Sequence, residues 1–190
     1  MRRKTMLVYM ALALAIAPVN QGLANSANSA NSAVLPKANA AELFGLSFND
    51  LKLVDLAQHL KNMGLQSYPT YKEGIVSYSL GAEGILGITN ATLYTNASGY
   101  VRQALLTGVI QSNEKRKAIG DVFFNKYGAP SEGFLNKGIG RSKWLFDDGT
   151  EIDFRNTTYD VSILYVDLQP KKSDRNSGRI DVEALSRKGR

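Results

Sequence analysis

Cysteine is absent from this 190-residue chain, which removes disulfide staples, thiol nucleophiles and thiolate metal ligands together. Histidine is nearly absent as well: His59 stands alone, too few for a histidine-rich metal centre and a poor basis for a histidine-dependent triad. Its place inside a stretch with helical periodicity makes it a partly exposed structural side chain. No apolar run reaches the ~20 residues that a membrane-spanning helix needs. The glycines at 81, 84 and 87 lack the lysine and hydroxyl of a phosphate-binding loop. Stability must therefore come from packing, catalytic groups are scarce, and neither a cofactor nor a metal is expected.

The chain opens on Arg2, Arg3 and Lys4, followed by an apolar stretch over 6–19 and small-residue sites at Gly22-Leu23-Ala24 and Ala38-Asn39-Ala40. A basic head, a short apolar body and Ala-x-Ala-like sites make a secretory signal peptide, assigned here to residues 1–24. No cysteine lies near these sites to take a lipid. The expected destination is the periplasm or the medium. Residues 25–41, opening on NSANSANSA, read as a flexible spacer that buries too little to order itself.

The formal charge of +6 comes from the two ends. Residues 1–33 carry three basic and no acidic groups, and residues 170–190 seven basic and three acidic. Between them, residues 34–169 hold thirteen basic and fourteen acidic groups, a net of −1. A nucleic-acid-binding domain would show its positive charge on the folded part, so no nucleic-acid partner is expected. The tail, 170–190, reads as a disordered basic terminus suited to an anionic envelope surface or an acidic partner.

Two runs of alternating apolar and polar residues over 141–155 flank Asp147, Asp148 and Gly149, the turn chemistry of a β-hairpin. A loop of Asp148 and Gly149 alone would mix apolar and acidic groups on each side. A three-residue loop with Gly149 left-handed sets Phe146 against Thr150, Trp144 against Ile152 and Ser142 against Phe154. That register gathers Trp144, Phe146, Ile152 and Phe154 on one side and leaves Arg141, Lys143, Leu145, Glu151, Asp153 and Arg155 on the other. Burial selects it, because a one-residue slip would turn every side chain over. It also places Lys143 across from Asp153, a favourable pair of ~0.2–1 kcal/mol.

One α+β domain is expected over 42–169. A helix capped by Ser47 or Asn49 carries Leu53, Leu56, Leu60 and Met63 at helical spacing and stops at Gly64. Strands follow at 75–80, 87–95 and 100–108, the first two joined through glycines that imply a bulge or close backbone approach. The last two are joined by a turn over 96–99. A second helix, capped by Ser112 or Asn113, presents Ile119, Val122, Phe123 and Tyr127 and stops at Gly128. The hairpin and a strand over 160–168 complete the domain. That last strand is apolar on both sides, as suits a central strand covered twice.

Both halves, 42–110 and 111–169, thus run helix, glycine stop and three strands, which suggests duplicated α-β-β-β units. Residues 59–65 and 123–129 also align, each with a large residue followed by glycine. The units form either one continuous antiparallel sheet with both helices on one face or two small lobes. By layout alone this plan is similar to the helix-plus-sheet architecture of secreted β-lactamase inhibitor proteins and of small outer-membrane assembly modules. No residue motif carries the likeness, and no activity or site residue is taken from it.

The functional expectation is an exported, non-enzymatic protein that recognises another macromolecule, as an inhibitor, immunity or envelope-accessory protein does. Arg141, Lys143, Glu151, Asp153 and Arg155 are its candidate binding residues, since they share the polar side of the hairpin. Tyr71, Tyr78, Tyr94, Tyr100, Tyr159 and Tyr165, in or beside strands, suit a recognition patch where they point away from the helices. The competing expectation is a small carboxylate-dependent envelope hydrolase or cell-wall-binding protein using Asp147, Asp148, Glu151 and Asp153.

Overall fold

The computed structural model describes residues 38–69 and 71–172. The expected signal segment, the spacer up to residue 37 and the tail beyond Lys172 lie outside the described residues. In chain order the elements are β1 (Glu42–Leu43), β2 (Leu46–Ser47), α1 (Leu53–Asn62), β3 (Gln66–Ser67), β4 (Ile75–Ser79), β5 (Ile88–Thr95), β6 (Val101–Val109), α2 (Asn113–Tyr127), β7 (Glu132–Asn136), β8 (Ile139–Leu145), β9 (Thr150–Asn156) and β10 (Asp160–Asp167). Packing reaches back to Ala38, whose N–H donates to the Lys126 carbonyl (3.0 Å), and Ala41 is fully buried. At the other end the Lys171 N–H donates to Asp50 Oδ1 (2.9 Å), so the chain is still fastened to the domain there.

β1 and β2 form a small hairpin, and the other strands form one eight-stranded antiparallel sheet in the order β3-β4-β5-β6-β10-β9-β8-β7. Each helix is followed by four strands rather than the expected three. β3 is only two residues long. β7 reads Glu-Gly-Phe-Leu-Asn, with Gly133 at φ 76° and none of the β-branched alternation that marks a strand. The last strands of the two halves, β6 and β10, meet in the middle, paired from Asp160↔Val109 to Val166↔Gln103.

The side chains decide which face the helices cover. Tyr78, Ala91, Leu93, Ala104, Leu106, Ile163, Tyr165, Ile152, Phe154 and Trp144 lie on one face of the sheet and belong to a single core with Leu56, Leu60, Ile119 and Phe123 of the helices. Both helices therefore pack on the same face of a continuous sheet. β10 is central, as expected. Its Leu164 and Val166 are only half-buried, however, because they point to the opposite face, where neither helix lies.

The expected hairpin register holds: Trp144↔Ile152, Ser142↔Phe154 and Lys143↔Asp153 are partners, the Phe146 N–H donates to the Thr150 carbonyl (3.0 Å), and Gly149 has φ 80°. Trp144, Ile152 and Phe154 are fully buried and Phe146 nearly so. The Trp144 indole N–H donates to the Gly128 carbonyl (3.0 Å), which satisfies both a buried donor and the carbonyl that follows α2.

The helices depart from expectation in two places. α1 starts at Leu53 after Lys52, without a side-chain cap: Ser47 ends β2, and the Asn49 amide donates to the Asp148 carbonyl (2.9 Å) instead. In α2 Ser112 is the cap, accepting from the Lys115 N–H (3.4 Å). Val122, expected in its apolar stripe, is 49 % exposed. The buried stripe runs instead through Arg116, Ile119, Gly120, Phe123 and Tyr127, which is correct helical spacing with two members that do not register as apolar. His59 Nε2–H donates to the Phe44 carbonyl (2.9 Å), a structural link from α1 to the β1–β2 turn.

Burial under α2 raises the Tyr165 hydroxyl well above its ordinary pKa of 10.0, with the neighbouring Tyr127 adding to the rise. Below pH 10 both folded and unfolded chains keep this proton, so it leaves stability unchanged there. Above pH 10 the unfolded chain loses it first and is favoured, so stability falls as pH rises. The drop in urea midpoint between pH 8 and pH 11 should be smaller for Tyr165→Phe than for the native chain. Equal drops would show that this hydroxyl does not control alkaline stability.

Candidate binding face

The face of the sheet that the helices leave open can be read as three rows, because strand register fixes which outward side chains are neighbours. The first crosses Glu132, Lys143, Asp153, Leu164, Leu105, Thr92 and Ser77. The second crosses Phe134, Arg141, Arg155, Ser162, Thr107 and Asn90. The third crosses Leu145, Glu151, Val166, Gln103, Tyr94 and Ile75. An ionic region over β7 to β9 thus passes into an aliphatic middle at β10 and β6, then into hydroxyl and amide groups on β5 and β4.

All five candidate residues, Arg141, Lys143, Glu151, Asp153 and Arg155, share this face, as alternation along β8 and β9 requires. Their pairing differs from expectation. Lys143 and Asp153 are register partners, yet the Lys143 ammonium lies 3.9 Å from Glu151 Oε2, diagonally across the strands. A flexible four-carbon stem lets the ammonium choose either carboxylate, and the half-buried Glu151 offers the one less occupied by water.

Arg141 and Arg155 stand directly opposite each other. Among the described residues neither has a carboxylate within 4.0 Å. Like charges opposed across strands are unfavourable. Beside them Phe134, the register partner of Arg141, is 73 % exposed, and Leu145 is 45 % exposed. An exposed ring next to two arginines without counter-charges is composed like an interaction hot spot. Sequence reading missed Phe134 because its strand carries no clear pattern, and missed the aliphatic middle because two-sided apolarity in β10 looked like two-sided cover.

The tyrosines divide. Tyr78 and Tyr165 are buried on the helix side, where they build core and cannot recognise a partner. Tyr94 is on the open face, Tyr71 and Tyr159 are exposed beyond strand ends, and Lys52 Nζ lies 6.0 Å from the Tyr100 ring centroid. The carboxylates of the competing expectation divide as well. Asp148 accepts from the Thr150 N–H (2.9 Å) and hydroxyl (2.6 Å), the work of a turn residue. Asp147 is exposed in the same turn, while Glu151 and Asp153 stand on the open face. Among the described residues, no group of three or more His, Asp or Glu side chains is placed to hold a metal ion. No helix there is long and apolar enough to cross a membrane.

No protein-family model, no curated protein and no solved structure matches this chain, so its candidate residues rest on their own geometry.

Proposed function

We propose that this is an exported, non-enzymatic protein that binds another protein on the open face of its sheet, with the contact centred on Phe134, Arg141 and Arg155. The observation that carries this reading is that row: two opposed arginines without acidic partners beside a largely exposed phenylalanine. A partner with carboxylates over the arginines would relieve their repulsion while covering the ring and the aliphatic middle. Lys143, Glu151 and Asp153 then form the polar rim that sets orientation. The basic and apolar opening of the sequence supports export, on which reading the partner belongs to the envelope or the medium.

Full-length protein cross-linked in envelope extract should capture a discrete partner protein. Arg141→Glu with Arg155→Glu should weaken that complex at least about tenfold, since hot-spot losses exceed 1.4 kcal/mol. Val54→Ala, exposed on α1 on the other side of the sheet, should leave it unchanged. Failure to capture any protein, together with turnover of cell-wall polymer by the same preparation, would reject the reading in favour of a hydrolase.

A further inference from the structure

Two buried charged side chains, Asp167 (3 % exposed) and Arg116 (5 % exposed), are treated differently by their surroundings. Asp167 accepts from two backbone amides, Asp50 N–H at 3.1 Å and Gln169 N–H at 2.9 Å, so its charge is hydrogen-bonded on both oxygens. Arg116 is near the start of α2. One Nη donates to Asn156 Oδ1 (3.2 Å) and the other to the Ile110 carbonyl, both neutral acceptors. Among the described residues no carboxylate lies within 4.0 Å of it. A guanidinium carries five N–H donors and a full charge, and burying it without an anion is costly. Its position near the positive end of α2 does nothing to offset that cost.

The same end of the sheet holds an open cleft of about 300 Å³, lined by Arg116 and the apolar Ile139 together with Gln111, Asn113, Thr157, Thr158 and Tyr159. Each of these last five side chains ends in a hydrogen-bond donor, and no side-chain hydrogen bond ties any of them within the described residues. None of the lining residues is acidic. Of the acids near it in the chain, Glu114 accepts from the Ser112 hydroxyl (2.5 Å) and Glu83 lies 3.8 Å from Lys115 Nζ, while Asp160, which follows Tyr159, is exposed to water and does not line the site. Asn156 is fully buried and donates to the carbonyls of Arg116 (2.7 Å) and Gly138 (2.9 Å), so one side of the guanidinium is held by a fixed amide.

We propose that this cleft binds a compact oxyanion of the phosphate or carboxylate kind, with Arg116 supplying the charge and Thr157, Thr158 and Tyr159 supplying hydroxyl donors. Arginine matches both anions because its planar N–H fork fits two oxygens at once. The site is at the strand ends on the helix side, separate from the open face.

The test is thermal unfolding of the full chain in increasing sodium phosphate or sodium acetate, each matched in ionic strength with sodium chloride. The expected result is a saturable rise in Tm of about 3 °C or more in at least one oxyanion over chloride. The responding salt identifies the kind of anion. Thr157→Val with Thr158→Val, both at exposed positions, should shift the half-saturating concentration upward at least about tenfold, and Arg116→Gln should abolish the response. If Arg116→Gln does not fold, the threonine pair decides the matter. Curves that coincide in all three salts, or a threonine pair that responds as the native chain does, would overturn the proposal.

Discussion

Trp144→Ala should lower the free energy of unfolding by about 3–5 kcal/mol, as for large aromatic deletions in a packed interior. The indole is fully buried among the rings of Phe123 (5.9 Å between centroids), Tyr127 (6.2 Å) and Phe154 (6.2 Å). Its removal leaves a void the size of most of a side chain, and also strands the Gly128 carbonyl that its N–H satisfies. Equilibrium unfolding in guanidinium chloride measures the loss. The next residue is the control: Leu145 is 45 % exposed on the open face, and Leu145→Ala should cost under about 1 kcal/mol. Similar costs at the two positions would mean that the hairpin does not hold this register.

Gly120→Ala carries the second large effect, and its sign opposes helix propensity. Inside a helix alanine is favoured over glycine by about 1 kcal/mol. Here a β-carbon on Gly120 would lie 2.0 Å from the Gly138 carbonyl oxygen and 2.3 Å from Gly138 Cα, so the β7–β8 turn would have to move away from α2. Gly138 cannot yield easily: it has φ 79°, and its own Cβ position is 2.3 Å from the Lys117 carbonyl oxygen. A loss of about 3 kcal/mol or more is expected, at the upper end of overpacking costs. Gly99→Ala provides the comparison, because Gly99 also has positive φ, 80°, but nothing within 4 Å of its Cβ position. It should cost about 1–2 kcal/mol from backbone strain alone. A stabilised Gly120→Ala chain would mean that α2 does not pack against this turn.

The contrast between α2 and the hairpin explains how much could be read in advance. Over 141–155 the period-two alternation, the Asp-Asp-Gly turn and the difference between two candidate registers all act within fifteen residues, so the local pattern carries the answer. In α2 the stripe passes through Arg116 and Gly120. One is accepted in the interior because Asn156 and the Ile110 carbonyl meet it, the other because Gly138 presses against it. Ile110 is near Arg116 in the chain, but Asn156 and Gly138, which complete the two environments, are distant from their partners. β7 was illegible for a related cause: its ladder is completed by β8, and its own composition favours no particular structure.

The five candidate contact residues were legible as one face of one hairpin, but Phe134 and the aliphatic residues of β6 and β10 joined them only through pairing order. By itself the sequence determined the two helices, the hairpin register, the scarcity of catalytic groups and the near-neutral charge of residues 34–169, all of which depend on neighbours in the chain or on composition. Tertiary structure alone decided that β6 meets β10, that both helices choose the same face, and that Arg116 is buried beside a cleft without an acid. Those outcomes depend on which distant surfaces come together to exclude water, and no window of local sequence records that choice.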